Sequence, residues 1–145
     1  MHSGNLHRTD HDERPKDGRD GIAGRIGERI TAAGPDPGLH QILTALLPTD
    51  AESTADTRTL IGYLAFASVR PHIAETLATN GRGFRDHIAT LLPYHPEPTK
   101  AASALLALLD GLALHVTVGQ ISADDARALM TSAIDEALAR RSRGR

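Results

Sequence analysis

The 145-residue chain contains no cysteine and no tryptophan, and its aromatics are two tyrosines and two phenylalanines. Without thiols it can build no disulfide framework, no thiolate nucleophile and no cysteine-ligated zinc or iron-sulfur centre, and it suits a reducing compartment. An excess of one charge is missing as well. Lys and Arg number 16 against 18 Asp and Glu, a formal net charge of -2, which argues against a protein built to coat nucleic acid through many uncompensated cations. The first twenty residues, MHSGNLHRTDHDERPKDGRD, have no apolar h-region and are rich in acidic side chains. They match neither a secretory signal nor a transit peptide, so a cytoplasmic location is expected.

Apolar runs are short. The longest, roughly Ala101 to Val118, barely reaches the length of a bilayer span. It carries Asp110 near its centre, where a carboxylate costs ~2.5 to 3.5 kcal/mol on insertion scales. A buried helix of a soluble protein is the expectation, with no membrane partner. Catalytic constellations are also lacking: there is no nucleophile with a base, no carboxylate pair, and Gly81-Arg82-Gly83 is too short for a phosphate loop and follows a helix. His2, His7 and His11 have no rigid frame and no metal-ligand spacing. Neither an enzyme, nor a cofactor, nor a metal site is expected.

What the chain does contain is helical periodicity at the size of one domain. Ile22, Ile26 and Ile30 recur at i, i+4 and i+8 over Arg19 to Ala32, before the breaker run Gly34-Pro35-Asp36-Pro37-Gly38. Leu39, Ile42, Leu43, Leu46 and Leu47 then share a face up to Pro48. Thr49 and Glu52 have capping-box spacing and predict a helix to about Val69 or Arg70, with Leu60, Ile61, Leu64 and Ala67 as its core stripe. Pro71 opens a further helix, which Asn80-Gly81-Arg82-Gly83 is expected to cap or kink before Phe84, Ile88 and Leu91 resume the period. After a loop from Pro93 to Pro98 come a helix over about Thr99 to Gly119 and a last one from the Ser122 to Asp125 box, with an Ala-rich stripe. No segment has the alternation of a strand, and the expected fold class is all-α, a helical bundle.

The helix around LLALLDGLALHVTVGQ has more apolar surface than a single core needs. Leu105, Leu109, Leu112 and Val116 fall on one side, and Ala104, Leu108, Gly111 and His115 form a second row. Surplus apolar surface in a soluble protein usually meets a partner or a ligand. The last two helices therefore read as half of a four-helix bundle completed by a two-fold related copy. The residues expected at that homodimer interface are Leu105, Leu108, Leu109, Gly111, Leu112, His115, Val116, Met130, Ala133, Ile134 and Ala137. A monomeric bundle with both helices central is the alternative.

These segments resemble a known family. ALLALLDGLALHVTVGQISADDARALMTSAIDEAL, residues 104 to 138, is similar to the last two helices of the C-terminal ligand-binding and dimerisation domain of TetR-type transcriptional repressors. LHQILTALLPTDAESTADTRTLIGYLAFA, residues 39 to 67, resembles that domain's LLPLD turn and WLAFW-like helix, and AGRIGERITAAGPDP resembles the end of the helix that links the DNA-binding head to the regulatory body. The likeness covers about residues 20 to 139. It implies a helical regulatory and dimerisation domain over 19–139 with the last two helices at the dimer interface; the composition of residues 1–18, with Leu6 as the one large aliphatic, predicts a disordered arm, and the arginines of 140–145 a basic tail. The family's helix-turn-helix head has no counterpart in the arm, so direct DNA binding by this polypeptide is not expected.

The resemblance also implies an effector enclosed by the middle helices. A small apolar effector would meet Tyr63, Phe66, Phe84, His87, Asp110 and His115, an apolar set with a few polar groups. Each has a plainer reading: Tyr63 and Phe66 as core or core edge, His115 at the dimer seam, Asp110 held by a structural partner, Gly111 as a site of close helix packing. A structural interaction module without ligand, pairing with itself or with a full-length relative, is the alternative function.

Overall fold

The structure is a computed structural model. It describes the backbone of residues 18–32 and 38–142, and side chains from residue 24 onward in those segments except that of Ile26. The expected arm up to Asp17, the breaker residues Gly34 to Pro37, the Ile22 and Ile26 side chains and the end of the basic tail lie outside the described residues. Among the described residues six helices follow in order: α1 (Gly18–Ala32), α2 (Leu39–Ala45), α3 (Ala51–Ser68), α4 (Pro71–Thr90), α5 (Pro98–Thr117) and α6 (Ala123–Ala139). Among the described residues there is no strand.

The ends of the helices follow local chemistry. α3 is capped by Asp50, one residue later than the expected Thr49: its carboxylate accepts the Ser53 N–H at 2.8 Å, and the Ser53 hydroxyl oxygen accepts the Asp50 N–H at 3.1 Å. An ionised carboxylate at a helix N-terminus also gains from the macrodipole. The Ser53 backbone bond accordingly holds the Asp50 carboxyl below the usual carboxylate range. Pro71 and Pro98 each sit in a first helical turn, where the missing N–H would have had no partner. The Ser122 hydroxyl accepts from Asp125 N–H at 3.0 Å, as the box predicted. α5 ends in a Schellman motif, with Gln120 N–H on the His115 carbonyl and Gly119 N–H on the Val116 carbonyl, at 2.8 and 3.1 Å. That turn needs the left-handed conformation, and Gly119 adopts it with φ 82°.

Two expectations fail here. α4 runs unbroken through Asn80-Gly81-Arg82-Gly83, because neither glycine takes a positive φ and the helical hydrogen bonds continue across them. The stripe read for α3 is also wrong in part. Ala67 is buried, but Leu60 and Ile61 are half-buried and Leu64 is 44% exposed. The face of α3 that turns inward near its start carries Ser53 and Asp56.

The apolar core lies between α2, the end of α4, α5 and α6. Leu39, Ile42 and Leu43 of α2 meet Ile88, Leu92, Leu105, Leu109 and Leu112, and α6 closes the cluster with Ala126, Met130 and Ile134 at i, i+4 and i+8. α5 packs against α3, α4 and α6 and is the central element. Its length and apolarity would suffice to cross a membrane, yet its strongest stripe is used inside the protein. This burial corrects part of the expected interface. Leu105, Leu109, Leu112, Met130 and Ile134 fill the protomer's own core, because two apolar helices in contact bury their strongest stripes against each other first. Leu108, Gly111, Val116, Ala133 and Ala137 remain half-buried, and His115 is exposed.

Candidate functional site: a cleft beside the first helix

Away from that core, α3, α4 and α5 do not meet completely. A cleft of ≈ 650 Å³ opens between them, with Arg29 of α1 and Leu46 after α2 at its edge. Each wall is one helix face. Asp56, Thr57 and Leu60 come from α3; Ala78, Gly81, Arg82 and Arg85 recur on α4 at i, i+3, i+4 and i+7; Ser103, Leu106, Ala107, Asp110 and Ala113 recur on α5 at the same period. Phe84 and Leu109 complete the apolar lining.

Small side chains create the space. Ala78 and Gly81 on α4 and Ser103, Ala107 and Ala113 on α5 cannot fill the gap between the helices, and a Cβ added at Gly81 would meet nothing within 4 Å. The cleft is open to solvent, and its volume and largely apolar walls fall in the range common to small-molecule sites.

An ion cluster ties the edge of the cleft to α1. Arg25 Nε donates to both Asp56 oxygens at 2.9 and 2.8 Å, and Arg29 Nη2 donates to Asp56 Oδ2 at 2.7 Å. The Asp56 side chain is 9% exposed. A carboxylate buried that far needs such partners. The Arg25 hydrogen bond, aided by Arg29 and opposed by burial, holds the Asp56 carboxyl below the usual carboxylate range. α1 is thereby fastened to α3 by charge-assisted hydrogen bonds that border the cleft.

Asp110 is in the opposite situation. Water reaches it from the open side of the cleft, but the surrounding wall is largely apolar, and burial pushes its carboxyl up from the ordinary value. No arginine contributes to that shift, and among the described residues no side chain hydrogen-bonds to it. The structural partner expected for Asp110 is therefore absent among them.

The other candidate residues are dispersed. Phe84 and Asp110 line the cleft, whereas Tyr63, Phe66, His87 and His115 do not. Tyr63 and Phe66 stack at 6.5 Å between centroids near the end of α3, and the Arg70 guanidinium lies 3.6 Å over the Phe66 ring, which is 47% exposed. His87 and His115 are exposed on α4 and α5. A Cβ on Gly111 would meet nothing within 4 Å, so no close packing within the protomer requires that glycine. Sequence reasoning missed Leu60, Gly81, Arg82, Ser103, Leu106 and Ala107. The small residues at helical spacing on α4 and α5 were the available signal.

The fold is shared with known proteins. A family model described as the C-terminal domain of BetI-type transcriptional repressors matches residues 35–139. The chain belongs to that family. The BetI-type domain thus covers α2 to α6, and so every cleft wall except the edge supplied by Arg29. A crystal structure described as a "putative TetR-family transcriptional regulator from Rhodococcus sp." resembles the chain with a TM-score of 0.69 at 20% identity, over 81% of this chain and 70% of that one. At that identity the likeness is one of fold. No curated protein matches the chain.

Proposed function

We propose that this BetI-type domain is the effector-sensing and dimerising part of a cytoplasmic transcriptional regulator. The observation that carries the reading is the ≈ 650 Å³ apolar cleft bordered by Asp56 and Arg29, through which α1 is held. A small apolar or amphipathic molecule fits between Leu60, Phe84 and Leu106. In a two-fold dimer the second row of α5 meets its copy: half-buried Leu108 and Gly111 with exposed Ala104 and His115, and Ala133 and Ala137 of α6 beside them. The small side chains of Ala104, Gly111, Ala133 and Ala137 suit a close helix contact.

The test is binding of a neutral fluorescent apolar probe to the full chain, compared with Ala107→Trp, which fills the cleft from an exposed position on α5. Saturable binding that the substitution abolishes, with the unfolding transition retained, supports the reading. Absence of saturable binding, or binding unaffected by the substitution, favours a dimerisation module without ligand.

A further inference from the structure

The chemical class of the effector can be argued from the charges around the cleft, resting on the reading of the cleft as an effector site. Three arginines and two aspartates line it. Arg29 is engaged by Asp56 at 2.7 Å, Arg85 by Asp86 at 3.0 Å, and Arg82 donates to the Thr79 hydroxyl at 3.3 Å from an exposed position. Asp56 is already saturated by two guanidinium groups. Asp110 is left as the cleft carboxylate without a partner among the described residues, with Leu106 and Ala113 one helical turn to either side. We propose that the cleft selects an amphiphilic primary or secondary amine, its ammonium hydrogen-bonded to the Asp110 carboxylate and its apolar body along Leu60, Phe84 and Leu106.

The physical reasons are direct. Asp110 stands on the open side of an apolar cleft with no side-chain partner among the described residues, so a cation that brings its own N–H donors can reach its carboxylate while its apolar body lies along the walls. The apolar walls also push the Asp110 carboxyl up from its ordinary value. An amine on an apolar body satisfies both kinds of wall at once; an alcohol lacks the charge. A fatty carboxylate would add a second anion beside Asp110.

The experiment uses the full chain at neutral pH with decylammonium, decanol and decanoate, each below its aggregation threshold, and calorimetry as the readout. Decylammonium is expected to bind at least about tenfold more tightly than decanol, the scale of one charge-assisted hydrogen bond. Asp110→Asn, isosteric and neutral, should reduce decylammonium to the affinity of decanol and leave decanol unchanged. Asp110→Glu should keep the preference for the amine. Equal binding of all three ligands, indifferent to Asp110→Asn, overturns the proposal while leaving the cleft as an effector site. Tightest binding of decanoate, lost in Arg82→Gln, overturns it in favour of an anionic effector. If the neutral probe also fails to bind, the effector-site reading falls with it.

Discussion

Arg29 Nη2 sits 2.7 Å from Asp56 Oδ2, joining the first helix to the wall of the cleft by a nearly buried carboxylate. The described part of α1 shows few other strong attachments. Ile30 packs against the edge of the core, and Arg25 shares the same carboxylate. Asp56→Asn keeps the shape and removes the charge that both arginines need. Loss of these charge-assisted bonds should cost about 1–3 kcal/mol, expressed mainly as faster amide hydrogen exchange in α1 while α5 and α6 stay protected. Unchanged exchange in α1 would show that other contacts hold the helix.

The two cleft aspartates should respond to pH with opposite signs. The Asp56 pKa is lowered in the folded protein, so its stabilisation is present above the unfolded value near 3.9 and is lost as pH falls through the lower folded value. Acid should therefore loosen α1, and Asp56→Asn should remove that dependence. The Asp110 pKa is raised, so the folded state is favoured below the unfolded value and loses that advantage as pH rises through the folded one. Asp110→Asn should raise the Tm slightly at pH 7, by about 2 °C or less given solvent access, and leave it unchanged in strong acid. A drop in Tm at pH 7 would mean that Asp110 has a stabilising partner.

Burial separates two residues that periodicity alone treats alike. Met130 is fully buried where α6 meets the core, and Leu64 is 44% exposed on α3. Met130→Ala should destabilise by about 2–5 kcal/mol, transfer loss plus cavity. Leu64→Ala should cost under about 1 kcal/mol. Urea unfolding at one protein concentration measures both, and equal losses would refute this placement of the core.

The proposed seam predicts an assembly change without unfolding. Ala104 of the proposed seam is exposed on α5, and Leu129, one helical turn before Ala133 of that seam, is exposed on α6, so Ala104→Glu combined with Leu129→Glu puts four carboxylates into a two-fold contact while sparing the protomer core. Sedimentation should show the unaltered chain as a dimer and the double variant as a folded monomer. A monomeric unaltered chain at micromolar concentration would eliminate the seam.

Much of the architecture was legible because it depends on neighbours in sequence. Pro71, Pro98, Ser122 and Gly119 act through backbone groups within a turn of themselves, and the helices they delimit lie close to where the periodicity placed them. The boundary error at Thr49 is of the same local kind: two adjacent side chains compete for one cap, and the carboxylate of Asp50 holds it.

The sequence by itself determined an all-α chain, a family resemblance and a helix, α5, with apolar surface on more than one side. It could not decide what each side of α5 meets, because that depends on the angles at which α3, α4 and α6 cross it. Those crossings bury Leu105, Leu109 and Leu112 in the protomer, leave Ala104 and His115 outside, and turn Leu106 and Asp110 toward a cleft. Only the tertiary structure placed Asp56 within reach of Arg25 and Arg29, 31 and 27 residues away in sequence, while leaving Asp110 unpaired among the described residues. Identical carboxyl groups acquire opposite shifts because electrostatic surroundings depend on distance and solvent access, which no spacing along a single helix contains.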